Sequence, residues 1–327
     1  MKTALLKGLR YIYRKISHKE YRGWDWPSPE DWEKTNNLIY EFLESDKPCW
    51  IGRIGTTEGA IVHNRLTLTP PNSFARLKGC FRYIISDTRL PWWDADRPVN
   101  ELITYSGFFS RNGVTLKLVE KFADLYLHYI PLMDVCGRFA AYEHYLPFSP
   151  DCKMVQLESL YPFFAKKPWM LALKGKKVLV VHPFKNTIEA QYQKRKLLFP
   201  NPDILPDFDL TVIKAVQSIA GEIPPYEDWF DALDAMKKQI ASVDFDVAIL
   251  GCGAYGLPLA GYIKEELHKK AIHLGGGTQL LFGIKGRRWQ VDYKNSCYRD
   301  LFNEYWVSPD ESERPQNFNK IEGGCYW

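Results

Sequence analysis

The segment FDVAILGCGAYGLPLAGYIKEELH, residues 245–268, decides the fold class of this chain. Its first part is a short apolar run, its middle contains three glycines, and its last part spaces apolar and charged residues with a helical period. A nearly uninterrupted apolar strand that turns directly into a helix is typical of a parallel sheet covered on both faces. The segment therefore predicts an α/β fold.

The same alternation of strand and helix runs through the second half of the chain. It predicts strands in KKVLVVHP (176–183), FDLTVIKA (208–215) and KAIHLGG (270–276), and helices in TIEAQYQKRKLL (187–198) and YEDWFDALDAMKKQIA (226–241). Strands that alternate with helices build a parallel sheet with helices on its faces. We therefore predict a Rossmann-like, doubly wound and mainly parallel sheet.

The first half of the chain has a weaker pattern. Strands are predicted in CWIGRI (49–54) and IPLMDVC (130–136), and helices in WPSPEDWEKTNNLIYEFLES (26–45) and VTLKLVEKFADLYLHY (114–129). The earlier helix has Ser28 as its N-cap and Pro29 at its first helical position. Residues 67–112 and the segment KMVQLESLYPFF (153–164) have no pattern that predicts an element.

These patterns divide the chain into four segments. We expect a basic amphipathic helix in residues 1–22, an α/β part in 23–173, and a Rossmann-like part with the glycine-rich turn in 174–290. An aromatic C-terminal segment, 291–327, is expected to fold back on the domain.

The composition indicates a globular protein of a reducing compartment. With 46% apolar and 15% aromatic residues, the 327-residue chain can bury one large core or two smaller ones. Its seven cysteines form no Cys-x-x-Cys pair, so neither a disulfide framework nor a structural zinc site is expected. No apolar run approaches the roughly 18 residues of a transmembrane helix, and no secretory signal is recognisable. We therefore expect a cytoplasmic location.

Residues 1–22 concentrate the positive charge of the chain. They contain seven Lys and Arg and one acid, Glu20, whereas the other 36 Lys and Arg are outnumbered by 38 Asp and Glu. Apolar residues recur there every three or four positions, at Leu5, Leu6, Leu9, Ile12, Tyr13 and Ile16. A basic amphipathic helix is typical of contact with an anionic membrane surface, although a helix docked on its own domain has the same pattern. No basic stripe with interleaved aromatic residues follows, so we expect no nucleic-acid partner.

Polar residues that follow the predicted strands are the candidates for a functional site. Ligands of parallel sheets bind beyond the carboxyl ends of the strands, and those ends lie at the same edge. The segments concerned are 53–58, 182–186, 214–222, 251–255 and 275–279.

The turn GCGAYG, residues 251–256, has the pattern G-x-G-x-x-G between a strand and a helix. Backbone N–H groups and the helix dipole at such a turn suit a phosphate or diphosphate. An NAD site is a second interpretation, but the strand about 20 residues later lacks the terminal Asp or Glu that binds the adenosine ribose. Close packing of the helix on the strand is a third.

Side chains at other strand ends suit the same chemistry. A cation and an imidazole can neutralise a leaving diphosphate or exchange a proton, and three consecutive glycines allow the backbone to approach a ligand. The candidates are His182, Lys185, Gln217, Glu222, Gly276, Thr278 and Gln279.

The segment IGRIGTTEGA, residues 51–60, resembles the Arg-x-Gly-Asp-Gly-Glu segment of bacterial GT-D-fold glycosyltransferases. Arg53, Gly55 and Glu58 match that segment, whereas Thr56 stands at its aspartate and Thr57 at the intervening glycine. The resemblance extends to the later strand, glycine-rich turn and helix in 246–264 and to AIHLGGGTQ (271–279). It implies a GT-D-like fold.

The resemblance also implies a function. It points to a transferase that moves a sugar from a nucleotide-diphosphate donor to a cell-surface glycan acceptor. The acceptor is expected to be lipid-linked, as it is in lipopolysaccharide or capsule assembly. In that family the Asp-x-Glu pair engages a divalent metal. With Thr56 in place of the aspartate, Glu58 is left as a base, a sugar ligand or a single ligand of Mn²⁺ or Mg²⁺, and no cofactor is certain.

Roles follow from this resemblance for the candidate residues. Glu58 is expected to be the catalytic base, with His182 as the second candidate, and Lys185 is expected to pair with the diphosphate. The expected substrate contacts also include Arg53, Gly55, Thr56, Thr57, Gly251, Gly253, Ala254 and Tyr255.

Two other functions stay open at this point. An NAD-dependent oxidoreductase or epimerase would use GCGAYG for its dinucleotide. A non-catalytic scaffold of a polysaccharide-assembly complex would explain the loss of the aspartate at Thr56.

Overall fold

Seven parallel strands form one sheet in the computed structural model, which describes residues 3–17, 32–67, 73–85, 96–292, 297–321 and 323–327. The strands are β1 (Trp50–Gly52), β2 (Val135–Arg138), β3 (Lys153–Gln156), β4 (Lys177–His182), β5 (Asp209–Lys214), β6 (Val247–Leu250) and β7 (Lys270–His273). Each pairs in parallel with its neighbours, so the predicted α/β fold with a parallel, Rossmann-like sheet is confirmed.

The strand order is β3-β2-β1-β7-β6-β4-β5. The chain therefore builds one half of the sheet outward from β1 and the other half around β4. The two halves join where β1 pairs with β7, with Ile51 opposite Ile272. Segments 23–173 and 174–290 thus contribute strands to the same sheet, while the proposed boundaries between the four segments stay a prediction.

Helices cover both faces of this sheet. The described helices are α1 (Thr3–Ser17), α2 (Trp32–Glu44), α3 (Thr56–Thr67), α4 (Ser73–Ile85), α5 (Asp96–Ser106), α6 (Leu116–Tyr129), α7 (Lys185–Gln193), α8 (Arg195–Leu198), α9 (Trp229–Ala241) and α10 (Gly256–Glu265). One face packs against α3, α5, α6, α9 and α10, and the other against α2, α7, α8 and the C-terminal segment.

Alternate residues of each strand enter two different cores. In β4, Leu179 and Val181 belong to the core on one face, whereas Val178 and Val180 belong to the core on the other. Because successive side chains of a strand point to opposite faces, a strand buried on both faces must be apolar throughout. This is why the later strands read as uninterrupted apolar runs.

The structure corrects several element predictions and assigns elements to segments that had no clear pattern. KMVQ forms the edge strand β3, which the sequence left unassigned, and residues 67–112 contain α4 and α5. IPLMDVC begins as a short 3-10 helix, Ile130–Leu132, before β2, and the helix predicted in 187–198 is interrupted at Lys194. The predicted cap at Ser28 and Pro29 lies outside the described residues.

The C-terminal segment packs into the core beside β4. Trp306, Ile321, Cys325 and Trp327 are buried there with residues of α7 and α8. Glu313 accepts hydrogen bonds from the backbone N–H groups of Asn186 (2.6 Å) and Thr187 (3.2 Å) at the start of α7. A carboxylate at this position satisfies N–H groups that the helix itself leaves free. Among the described residues, no helix is long and apolar enough to span a bilayer.

The contact between α10 and α6 predicts the effect of Gly261→Ala. A Cβ atom at residue 261 would lie 2.2 Å from Cδ1 of the buried Tyr129 ring, so the ring or the helix must move. Overpacking of this kind costs about 1–3 kcal/mol, more than the roughly 1 kcal/mol that alanine gains over glycine in a helix. We expect a lower free energy of unfolding in urea.

Gly8→Ala is the matched control, because Gly8 lies within α1 and a Cβ atom there has no neighbour within 4 Å. This variant should unfold at the same or a higher urea concentration than the wild type. A Gly261→Ala protein as stable as the Gly8→Ala protein would contradict the packing described for α10.

Candidate functional site

A cleft of about 560 Å³ lies at the carboxyl ends of the strands. Every strand contributes a lining residue at its end or within three residues of it: Arg53, Phe139, Glu158, His182, Gln217, Gly251 and Leu274. Parallel strands present their carboxyl ends at one edge, so loops distant in sequence meet there. The cleft is the candidate site.

Most of the residues selected from the sequence line this cleft. Twelve of the sixteen do so: Arg53, Gly55, Thr56, Thr57, Glu58, His182, Gln217, Gly251, Gly253, Tyr255, Gly276 and Gln279. Their roles toward a ligand stay predictions, but the structure brings them together.

Four selected residues lie away from the cleft. Lys185 begins α7 with its Nζ 3.8 Å from Glu189, and Glu222 accepts a hydrogen bond from the backbone N–H of Gln316 (2.8 Å). Ala254 is buried, and the Thr278 hydroxyl donates to the carbonyl of Leu250 (3.2 Å). The predicted ligand contacts of these four residues stay predictions.

Arg53 follows β1 and reaches the cleft between an aromatic ring and a glycine. Its guanidinium carbon lies 4.6 Å from the centroid of the Phe139 ring, and a Cβ atom at Gly275 would lie 3.1 Å from its Nη1. The Nε atom is buried and has no hydrogen-bond partner among the described residues. A guanidinium that lines a cleft is suited to bind phosphate or carboxylate.

Glu58 lies in the first turn of α3 and is 8% exposed. Its carboxylate folds back over Gly55, where a Cβ atom would lie 1.8 Å from Oε2. The Gly55 carbonyl accepts hydrogen bonds from the Tyr142 hydroxyl (3.0 Å) and the Gly59 N–H (2.8 Å). The missing side chain at residue 55 therefore makes the space that the Glu58 carboxylate occupies.

The three glycines of GCGAYG have different functions. A Cβ atom at Gly251 would lie 2.4 Å from Cδ2 of His182, and one at Gly256 would lie 2.1 Å from Cε1 of His273. These two glycines make room for imidazole rings. Gly253 is exposed, has a φ of +58°, and would place a Cβ atom in open space. It is therefore the glycine of this turn at which a ligand can approach the backbone.

Both imidazoles beneath this turn are neutral at physiological pH. Burial lowers the pKa of His182 to about 3, and burial together with the nearby Arg53 charge lowers the pKa of His273 to about 3. Nδ1 of His182 accepts from the Phe184 N–H (3.0 Å), which leaves its proton on Nε2. An imidazole with this pKa is a weak base, so the geometry favours His182 as a hydrogen-bond donor.

A comparison with known families gave a match over the second half of the sheet, strands β4 to β7. Residues 161–281 match a family model described as a GT-D fold-like domain. We refer to residues 161–281 as the GT-D-like domain because of this similarity. This match covers a little more than a third of the chain, from the segment before β4 to the glycines after β7. It supports a GT-D-fold, glycosyltransferase-like family. Comparisons with curated proteins and with solved structures returned no match.

The GT-D-like domain supplies only part of the cleft. Its loops after β4, β5, β6 and β7 form one side, while Arg53–Glu58 on β1 and α3 lies outside the matched residues. The segment with the family's carboxylate pattern and the segment that matches the family model are joined by the pairing of β1 with β7.

Several cleft residues were missed in the sequence. Glu158 follows β3, and burial raises the pKa of its carboxyl group. The strand-end rule would have selected it if β3 had been recognised. Some of the other missed residues come from α5 and from the C-terminal segment, and no local pattern indicates them: Tyr105, Ser106, Tyr298, Tyr326 and Trp327.

The residues around Glu58 do not form the two-carboxylate metal site that the resemblance implies. Thr56 is exposed at the position of the family's aspartate, and Thr57 follows it. In the part of the chain that the structure describes, no group of three or more His, Cys, Asp or Glu side chains is arranged to hold a metal ion.

The two buried histidines predict acid sensitivity. Their pKa values are lower in the folded protein than the usual 6.5, so the unfolded chain binds more protons between pH 6.5 and 3. Their contribution to stability is complete above pH 6.5 and is lost as the pH falls. We expect a loss of about 1 kcal/mol per histidine between roughly pH 7 and 5.5 in urea unfolding.

His273→Gln should reduce this pH dependence, because one of the two groups is gone. His144→Gln, which replaces an exposed histidine, is the matched control. The comparison between variants is needed because Glu143 acts in the opposite direction: burial raises its pKa to about 7, so its contribution falls as the pH rises. Equal slopes for the wild type and His273→Gln would contradict a neutral buried His273.

Proposed function

We propose that this protein is a glycosyltransferase that moves a sugar from a nucleotide-diphosphate donor to a glycan acceptor. The supporting observation is that the strand-end loops of the GT-D-like domain and the Arg53–Glu58 segment line the same cleft. A cleft of about 560 Å³ has the size of a site for a small organic ligand.

The donor diphosphate is proposed to lie between Arg53 and the turn at Gly253. Arg53 offers a charged guanidinium at the cleft, and Gly253 leaves the backbone accessible three residues before α10 begins. The ten-residue helix α10 also directs the positive end of its dipole toward this turn. Together these groups would stabilise the negative charge that develops on the diphosphate as the glycosidic bond breaks.

Glu58 is proposed to accept the proton of the acceptor hydroxyl. It is a carboxylate of the cleft wall, and Gly55 gives it a fixed place over the turn before α3. His182 then serves as a donor from Nε2, because its low pKa makes it a weak base. The choice of Glu58 over Glu158 rests on the match of Arg53, Gly55 and Glu58 to the family segment.

The acceptor is proposed to be lipid-linked and presented at the cytoplasmic side of a membrane, as in the assembly of lipopolysaccharide or capsule. The basic amphipathic helix α1 supports this placement. Mn²⁺ or Mg²⁺ held by the substrate diphosphate, with Glu58 as a single protein ligand, stays compatible with the way these ions bind.

Thermal stability of the purified protein with UDP, GDP, CMP, dTDP and their sugars tests the proposal, with NAD alongside and with or without Mn²⁺. A ligand at about 100 times its Kd stabilises the folded protein by about 2.7 kcal/mol, which is an easily measured shift. We expect stabilisation by one nucleotide family.

Gly253→Asp and Gly253→Asn form a matched pair for this assay. Both side chains enter open space, and both residue types tolerate the positive φ of +58°. Only aspartate adds a negative charge beside the proposed diphosphate. We expect the nucleotide shift to be lost in Gly253→Asp and retained in Gly253→Asn. Equal shifts in the two variants would place the diphosphate elsewhere, a shift with NAD alone would replace the proposal by an oxidoreductase, and no shift at all would favour a scaffold.

Gly55→Ala tests the proposed position of Glu58. The new methyl group must displace the carboxylate, whereas the flexible end of the Glu58 side chain can move at a small cost in stability. We therefore expect a free energy of unfolding within about 1 kcal/mol of the wild type, with sugar transfer reduced as strongly as in Glu58→Gln. Donor hydrolysis or transfer to acceptor, measured with the nucleotide sugar identified above, provides the readout. Full activity in Gly55→Ala would exclude Glu58 as the base.

A further inference from the structure

Helices α1 and α4 pack against each other through a small contact. Leu6 of α1 is fully buried and joins Cys80 and Tyr83 of α4 in one cluster. The guanidinium carbon of Arg10 lies 4.5 Å from the centroid of the Tyr83 ring. The side of α1 that carries Leu6 and Arg10 therefore faces α4, and most of the apolar residues of α1 are not used in this contact.

The unused apolar residues form a stripe along α1. Leu5, Leu9, Ile12 and Ile16 follow one another at spacings of four, three and four, so they share one helix face. Their exposed fractions are 53%, 38%, 53% and 74%.

Helix α4 has a second exposed stripe. Phe74, Leu77 and Phe81 are spaced by three and four residues and are 77%, 65% and 61% exposed. With Tyr11, the two helices hold eight of the 17 exposed large hydrophobic residues found in the described part of the chain. Such a concentration marks an interaction surface, since single exposed apolar residues are normally scattered.

The charges of the two helices have one sign. Their sequences contain seven Lys and Arg and no Asp or Glu. The other 36 Lys and Arg of the chain are outnumbered by all 39 Asp and Glu. The basic residues are Lys7, Arg10, Arg14, Lys15, Arg76, Lys78 and Arg82.

We propose that α1 and α4 together form a docking surface for an anionic lipid bilayer. The exposed aromatic and aliphatic side chains of the two stripes suit the acyl boundary of a bilayer. The charged residues of both helices are all basic, which suits its anionic headgroups. A single short amphipathic helix binds membranes weakly, and α4 supplies a second anchor. The surface is proposed from these two helices alone and does not depend on the donor or the reaction.

This surface lies next to the candidate site along the chain. Helix α4 stands between α3 and α5, and both of these helices contribute residues to the cleft: Thr56, Thr57 and Glu58 from α3, and Tyr105 and Ser106 from α5.

Cosedimentation of the full-length protein with vesicles tests the inference. Vesicles of phosphatidylcholine alone are compared with equimolar phosphatidylcholine and phosphatidylglycerol. We expect binding to the anionic vesicles, weak binding to the neutral ones, and release as salt is raised. The double variant Phe74→Glu with Phe81→Glu should reduce binding by about tenfold or more, because it replaces two apolar anchors of α4 with acids.

The matched control is Leu116→Glu with Ile223→Glu, two exposed apolar residues outside α1 and α4. It changes the net charge equally and should bind like the wild type. Equal binding by the α4 variant and the control would overturn the role of α4, and no binding of the wild type to anionic vesicles would overturn the whole inference.

Sedimentation velocity tests whether the surface binds a second copy of this chain and not a lipid bilayer. A wild type that dimerises without lipid, and becomes monomeric in the α4 variant, would assign the surface to a second copy of the chain and overturn the proposal. Nucleotide-dependent thermal shifts of the same variants keep the two proposals apart. Vesicle binding without a nucleotide-dependent thermal shift would support this inference and contradict the proposed function. A nucleotide-dependent thermal shift without vesicle binding would support the proposed function and contradict this inference.

Discussion

The parallel direction of all seven strands is the constraint on which the rest of this structure depends. Parallel pairing sends every strand end to the same edge, and the intervening helices must return the chain along the faces of the sheet. Loops that are far apart in sequence, such as those of Arg53 and Gly251, therefore meet in one cleft. The pairing of β1 with β7 is decisive, because it joins the half with the Arg53–Glu58 segment to the half with the GT-D-like domain.

The cleft combines closely packed residues at the glycine-rich turn with a charged side chain after β1. At the turn, Gly251 and Gly256 admit the rings of His182 and His273, and burial keeps both rings neutral. After β1, Arg53 is stacked on Phe139. The charged residues that line the cleft have both signs, Arg53 and Arg288 with Glu58, Glu158 and Asp292, and the permanently charged guanidinium of Arg53 is the group suited to an anion such as a diphosphate.

The sequence predicted the second half of the sheet better than the first, for a physical reason. Strands β4, β6 and β7 are buried on both faces and must be apolar throughout, so they stand out from their surroundings. Strand β3 lies at the sheet edge with exposed residues at its start, and its sequence has no such contrast. Helix α4 was missed because it carries apolar residues both on the side packed against α1 and on the side exposed to solvent. The sequence of α4 therefore lacks the alternation of one apolar and one polar face that predicts an amphipathic helix.

What the sequence determined by itself is the class of the fold and the identity of most strand-end segments, because apolar runs and helical periodicity are local properties of a sequence. Which members of those segments face the cleft was decided by the tertiary structure. Arg53 and Lys185 both follow a strand, but Arg53 reaches the cleft, whereas Lys185 begins α7 and pairs with Glu189. The direction of a side chain after a strand depends on how the next helix packs, and that packing involves residues more than a hundred positions away, such as Glu313 at the start of α7.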